Sequence, residues 1–202
     1  MLISKINKNE IKVAFLIIFL GGLGLRIFYF PYELPLIADG LDNFTYATAI
    51  NFHGHLPNER APANIGWPIF LSFLFPLVNL DNSFEYMQFQ RILAIILSSL
   101  ITIPVFFLCK KFFNNKISLV GASLFAFEPR IILNSTLGIT EPLFILLGIT
   151  SLLLFLRYDQ KGIMIAFALA SFTTIVRSEG IFLLITISIL FVLKYKISKE
   201  IL

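Results

Sequence analysis

Long apolar runs separated by short polar segments dominate the pattern of this chain. A helix needs about 17–25 residues to cross the hydrocarbon core of a bilayer, and six runs approach or reach that length. They cover residues 11–30, 90–109, 117–133, 140–156, 162–176 and 180–193. The last two are short and are separated by charges that cost little at the tip of a helical hairpin and much inside a span. The pattern predicts an all-α, polytopic transmembrane bundle of about six spans.

Residues 31–89 join the first two predicted spans. They contain a further apolar stretch of about 15 residues, 66–80, which Pro68 and Pro76 interrupt. Counting this stretch as a span would reverse the orientation of every later loop. We therefore predict a large outer first loop that carries short interfacial helices, with Trp67 at the level of the lipid headgroups.

Lysines and acids fall on opposite sides of the predicted bundle. The lysines precede span one or follow spans two, four and six: Lys5, Lys8, Lys12, Lys110, Lys111, Lys116, Lys161, Lys194, Lys196 and Lys199. Most acids lie on the other side: Glu33, Asp39, Asp42, Glu59, Asp81, Glu85, Glu128, Glu141 and Glu179. The positive-inside bias then predicts a cytoplasmic N-terminus in a multi-pass protein of a prokaryotic plasma membrane or the ER membrane.

Composition supports the same class. The 202 residues are 57% hydrophobic and 14% charged, with a mean hydropathy of +0.87, which excludes an ordinary soluble domain. The net charge of +4 follows the membrane topology, so no nucleic-acid partner is expected. Cys109 is the sole cysteine, which excludes an internal disulfide. The first run lacks a small-residue cleavage pattern, and we interpret it as an uncleaved span.

Two carboxylates, Asp39 and Asp42, follow the first span. Three residues apart on a helical turn, they would share one face. Paired carboxylates at a membrane surface suit proton transfer or metal binding. A solvated, turn-forming loop is an equally good interpretation of the spacing alone.

Four other groups could carry chemistry. Arg177 suits a lipid phosphate, because its planar fork donates to two phosphate oxygens, although an Arg177–Glu179 pair could simply mark a turn. Glu128 and Glu141 flank the outer ends of spans three and four, where Glu141 is also a normal helix-start residue. The His53-Gly54-His55 sequence lacks a second spaced pair, which favours a polar loop over a metal site.

The order of these features resembles the N-terminal half of membrane glycosyltransferases of the GT-C class, which include the protein O-mannosyltransferases. The likeness covers about residues 11–193. The matching positions are Asp39, Ala47 and Gly54 after span one, the stretch 66–71, Pro129, Arg130, Ser135 and Glu141 before span four, and Arg177, Glu179 and Gly180 at the last hairpin.

The resemblance implies a function and a role for each site residue. The chain would transfer a sugar from a polyprenyl- or dolichyl-phosphate donor to a protein, lipid or glycan acceptor on the outer side. Asp39 would be the catalytic carboxylate, with Asp42 as its rival. Glu141 and Glu128 are candidates for acceptor or metal binding, with Mg²⁺ or Mn²⁺ as an open cofactor candidate. The candidates for the lipid phosphate are Arg177, Arg130 and Arg91.

Two departures from the class keep an alternative open. Several relatives carry an adjacent Asp-Glu pair where this chain has Asp39-Gly40. Enzymes of the class also continue beyond six spans, so a second chain could supply the C-terminal half. The alternative is a non-catalytic membrane subunit, or a truncated pseudoenzyme, that binds a lipid or a partner chain. A transporter is less well supported, because the ionisable residues gather on one face.

Overall fold

The computed structural model describes residues 7–55, 64–157 and 159–200. Lys5 and Glu59, which were predicted to lie on opposite sides of the membrane, are outside this part of the chain. The described residues form helices and no strand, which confirms the all-α prediction. The helices are α1 Lys8–Phe28, α2 Ala38–His53, α3 Gly66–Leu74, α4 Ser83–Leu100, α5 Thr102–Cys109, α6 Asn115–Ala126, α7 Pro129–Thr136, α8 Glu141–Phe155, α9 Gln160–Val176 and α10 Gly180–Glu200.

Helices cover all six predicted spans, but only some are long enough to cross a membrane. By length and composition, two helices qualify within the described residues: Asn9–Phe28 and the nearly continuous α4–α5 helix Ser83–Cys109, with mean hydropathies of 2.1 and 2.7. The pair α6 and α7 adds a third if it counts as one bent span. The apolar parts of helices α8, α9 and α10, which are Glu141–Phe155, Gln160–Val176 and Gly180–Lys194, are shorter than these two helices.

The second apolar helix begins earlier than the predicted span. It starts at Ser83, seven residues before Gln90, although its first turns are polar. The Asn82 side chain accepts a hydrogen bond from the Glu85 amide, over 3.0 Å, and donates one to the Glu85 carboxylate, over 2.9 Å. These bonds cap the helix, so a hydropathy pattern alone places its start too late.

The third predicted span is broken. Helices α6 and α7 meet at an angle of 47°. Pro129 is the first residue of α7, where its fixed φ suits a helix start and its missing N–H prevents α6 from continuing. The Glu128 side chain accepts a hydrogen bond from the Ile131 amide, over 2.7 Å, and thereby caps the new helix.

The chain divides into two compact units. Unit 1 comprises Met1–Phe44 and Leu80–Pro142. In this unit α1 packs against α4, α6 and α7, while α5 packs against α6. Close approach depends on small residues: a Cβ on Gly22 would lie 3.1 Å from the Cβ of Ala126. Helices therefore meet along a narrow seam, as small residues allow in membrane proteins.

Unit 2 comprises Thr45–Asn79 and Leu143–Leu202. Its core lies where α9 and α10 pack together, with Phe155 from α8 among the buried residues. The Ser151 hydroxyl donates to the Ala166 carbonyl over 2.7 Å and ties α8 to α9. Buried alanines, Ala166 and Ala170, leave room for these close helix contacts.

Helix α3 in unit 2 places Trp67 among protein side chains. Trp67 is completely buried and stacks on Phe70, with 5.6 Å between ring centroids, while its place at the level of the lipid headgroups stays a prediction. The helix packs tightly on α9, since a Cβ on Gly66 would lie 2.7 Å from the Cα of Val176. Protein contacts therefore cover the ring.

Candidate functional site

Asp39 and Asp42 lie on the first turns of α2, which is one of the two interpretations that their spacing left open, and both are exposed. An acid at a helix start is stabilised by the helix dipole. The Asn43 side chain donates to the Asp39 backbone carbonyl over 2.6 Å. Ala38 just before it has a φ of +47°, a left-handed conformation that costs a non-glycine residue about 1–2 kcal/mol. The entry into α2 is therefore locally strained, and Asp39 follows directly.

Gln90 of α4 joins this entry to a second turn of unit 1. Its amide nitrogen donates to the Gly40 carbonyl over 2.9 Å and to the Gly138 carbonyl over 2.7 Å. A Cβ on Gly40 would collide with the Leu137 carbonyl, so only glycine allows this approach. Gly138 itself has a φ of +70°, which favours glycine. The start of α2 and the turn that leads into Glu141 are thereby held side by side.

Arg91, the next residue of α4, holds the loop that follows α1. It is 3% exposed. Its guanidinium donates to the carbonyl of Leu34 and, over 2.7 Å, to the carbonyl of Pro35. The lipid-phosphate role remains a prediction, which the burial of Arg91 does not favour. The contacts instead make Arg91 an anchor for the loop that ends at Asp39.

Glu141 and Glu128, the two glutamates predicted to lie on the outer side, differ in what they contact. Glu141 is the first residue of α8, is half-buried, and lies 3.4 Å from the Thr140 hydroxyl through its Oε2 atom. Glu128 is engaged as the cap of α7 described above. An acceptor- or metal-binding role stays a prediction for both. Glu141 follows closely after Gly138, whose carbonyl accepts a bond from Gln90.

Arg130 and Arg177 are the remaining candidates for a lipid phosphate. Arg130 is an exposed residue of α7 in unit 1. In unit 2, Arg177 ends α9 and forms an ion pair with Glu179, with 2.9 Å between Nη2 and Oε1. Its guanidinium also lies 5.9 Å from the centre of the Phe144 ring. The Arg177–Glu179 pair, which could simply mark a turn, is therefore present. Phosphate binding by Arg130 or Arg177 stays a prediction.

The Arg177 contact changes the acidity of its partner. Hydrogen bonds from the Arg177 side chain lower the pKa of Glu179 to about 2, and a backbone hydrogen bond, the positive charge of Arg177 and the Ser178 hydroxyl act in the same direction. Glu179 is therefore ionised at any physiological pH. Asn64 adds a bond to this tip, accepting from the Ser178 amide over 3.1 Å.

Sequence reasoning missed Arg26, which is completely buried in unit 1. Its guanidinium donates to the Ser98 hydroxyl over 3.1 Å and to the carbonyls of Gly22 and Ala126, each over 2.9 Å. Ala126 is the last residue of α6, so the cation sits at the negative end of that helix and satisfies a carbonyl at the α6–α7 bend. The available signal was a lone cation inside an apolar run.

Gln90 was also missed. The signal for it was the polar pair Gln90-Arg91 at the start of an apolar stretch. Hydropathy treats such a pair as the end of a span, whereas here both side chains are buried and bonded to backbone carbonyls.

No metal site is evident in the described parts of the chain. Groups of three or more His, Cys, Asp or Glu residues that could hold an ion do not occur there. His53 and His55 are exposed, with ring centroids 6.0 Å apart. A bound Mg²⁺ or Mn²⁺ therefore stays a prediction.

Comparison with known proteins adds no relative. The chain matches no protein-family model, no curated protein and no solved structure.

Proposed function

We propose that the chain is a membrane glycosyltransferase module. It transfers a sugar from a polyprenyl- or dolichyl-phosphate donor to an acceptor on the outer side of the membrane. The observation that carries the proposal is the Gln90 bridge, because one buried side chain holds the exposed Asp39 turn beside the turn leading to Glu141. Two acids distant in sequence thus belong to neighbouring turns.

Membrane insertion is the first part of the proposal. One of the two long apolar helices, α1, exposes an apolar stripe at helical spacing, formed by Val13, Leu16, Ile17 and Leu20. Exposed apolar surface of this extent suits contact with lipid chains. We propose a bundle of about six spans with a cytoplasmic N-terminus, so that the loop after α1 lies outside.

Chemistry at Asp39 is the second part. The acceptor oxygen bonds to the anomeric carbon as the bond from that carbon to the lipid phosphate breaks, and the acceptor proton passes to the Asp39 carboxylate. The lipid phosphate is a good leaving group, so positioning of the acceptor provides much of the rate. Glu141 helps to bind the acceptor, and Arg130, which belongs to the same unit, balances the charge of the departing phosphate.

Activity in membranes tests this proposal. Membranes containing the full chain are supplied with radiolabelled sugar on polyprenyl phosphate, and wild type is compared with Asp39→Asn and Asp42→Asn. Glu33→Gln is the matched control, because Glu33 is an exposed acid in the loop before α2. Transfer should fall at least about 100-fold in Asp39→Asn, as for loss of a catalytic base, and stay normal in Glu33→Gln.

Each other outcome has a defined meaning. Loss in Asp42→Asn alone would make Asp42 the base. Normal transfer in both Asp variants would refute carboxylate catalysis here, and no transfer by wild type would favour the non-catalytic subunit. EDTA sensitivity of wild type would assign a metal.

A further inference from the structure

A groove opens in unit 1 near the N-terminal end of α1. It has a volume of about 330 Å³. Its apolar wall is formed by Ile11, Phe15, Phe106 and Phe107, and its rim carries Lys12 and Lys110. We call it the lysine-rimmed groove. It lies about 20 Å from the C-terminal end of α1, given a rise of about 1.5 Å per residue, and is therefore separate from the proposed transfer site.

The groove is built by the two helices that are long and apolar enough to span a membrane. Phe15 of α1 and Phe106 of α5 are in contact, with ring centroids 4.9 Å apart. Helix α6 supports α5 closely, because a Cβ on Gly121 would lie 2.7 Å from the Cys109 sulfur. One long helix begins at this end and the other finishes here, so both lysines mark the same apolar–polar boundary.

The two lysines have no acidic partner among the residues that the structure describes. Lys12 and Lys110 are both exposed, and neither forms an ion pair within the described residues. The Lys110 ammonium lies 5.6 Å and 5.9 Å from the ring centres of Phe106 and Phe107. The ammonium group thus lies over aromatic rings at the rim of the groove. Nearby Glu10 accepts from the Asn7 amide over 3.0 Å and caps α1.

An apolar wall below two cations matches one kind of ligand. Acyl chains pack against aromatic and aliphatic side chains, while a phosphate diester is attracted to paired lysines at the headgroup level. A zwitterionic lipid offers the same chains but brings its own cation next to the lysines. Charge complementarity therefore selects an anionic headgroup.

We propose that the lysine-rimmed groove binds one anionic phospholipid, with its phosphate between Lys12 and Lys110 and an acyl chain against Phe15 and Phe107. This inference goes beyond the proposed transfer reaction and does not depend on it. It requires only that α1 and the α4–α5 helix lie in a membrane.

Native mass spectrometry of the full chain, released from lipid nanodiscs, tests the proposal. Nanodiscs contain phosphatidylglycerol and phosphatidylcholine with identical acyl chains, so that only the headgroup differs. Wild type should retain phosphatidylglycerol preferentially. Lys12→Gln and Lys110→Gln should each weaken that preference about fivefold, and the double variant more, since one lysine near a lipid surface contributes about 1 kcal/mol.

Lys116→Gln is the matched control, because Lys116 is an exposed lysine of α6 that does not line the groove. An equal loss in this variant would reduce the effect to general surface charge and overturn the proposal, as would equal retention of the two lipids by wild type. Displacement of the lipid by soluble glycerol phosphate would show that a free phosphate suffices, which also contradicts a phospholipid site. Circular dichroism of each variant checks that the helices are intact.

Discussion

The side-chain amide of Gln90 donates a hydrogen bond to the carbonyl of Gly138 over 2.7 Å, although 48 residues separate the two positions in the sequence. The same nitrogen donates to Gly40, so one residue of α4 connects the entries of α2 and α8. Since Gln90 is completely buried, water cannot replace these bonds when they are lost. Both the stability of unit 1 and the position of Asp39 should therefore depend on it.

Gln90→Leu should lower the free energy of unfolding by about 2 kcal/mol, because two buried carbonyls lose their donor. The change is measured as a drop in melting temperature in detergent. Gln88→Leu is the comparison: Gln88 also donates two bonds, to the carbonyls of Tyr32 and Leu34, and accepts one from Arg91 over 3.2 Å, but it is only half-buried, so water can reach these bonds. Equal melting temperatures of the two variants would show that the buried bridge is unimportant.

Gly40→Ala should destabilise the chain by about 1–3 kcal/mol, because the new methyl group collides with the Leu137 carbonyl. Gly24→Ala provides the comparison, since no atom lies within 4 Å of a Cβ at that position of α1. Its melting temperature should be unchanged or slightly raised. A fully stable Gly40→Ala protein would contradict the close approach of α2 to this turn.

Arg26→Met should lower the free energy of unfolding by about 3 kcal/mol. Methionine fills much of the space, but the carbonyl of Ala126 at the end of α6 loses its charged donor. Arg157→Met, at an exposed position after α8, should change the melting temperature little. If both variants melted alike, the buried guanidinium would not support the α6–α7 bend.

Acid should weaken the tip between α9 and α10. The folded-state pKa of Glu179 is about 2, below its ordinary value of 4.5, because Arg177 binds the charged form. A depressed pKa stabilises the fold fully above the ordinary value and loses that contribution as the pH falls from about 4.5 to 2. The melting-temperature difference between wild type and Glu179→Gln should therefore shrink over this range.

The Glu179 effect should be small, because the pair is exposed. Glu33→Gln, in which the altered acid forms no ion pair among the described residues, serves as the control. A wild-type advantage over Glu179→Gln that persists unchanged at pH 2 would contradict the ion pair as its source.

Much of the helical architecture was predictable, because its causes are local. Apolar runs indicate helices, and the capping residues Asn82 and Asp159 explain where α4 and α9 begin. The predicted break at 177–180 is also present between α9 and α10. The start of α4 and the bend at Pro129 were missed, because capping and a single proline have little weight in a hydropathy pattern.

The candidate site was predictable only in part. Asp39 and Asp42 could be singled out, but their spacing fitted a helical turn and a loop equally well, and the structure places them on α2. Gln90, Arg91 and Arg26 could not be assigned their bonds, because each one pairs with backbone carbonyls distant in sequence. Backbone acceptors carry no residue-specific signal in a sequence.

The sequence by itself determined that the chain is helical and strongly apolar, and where most helices lie, because the hydrogen bonds of a helix connect residues four apart. The tertiary structure decided which segments meet: Gln90 joins the turns at Gly40 and Gly138, and the ring of Trp67 is covered by protein. These outcomes depend on how helices pack, which in turn depends on long-range fit between side chains and distant backbone. The periodicity of a single helix contains no information about that fit.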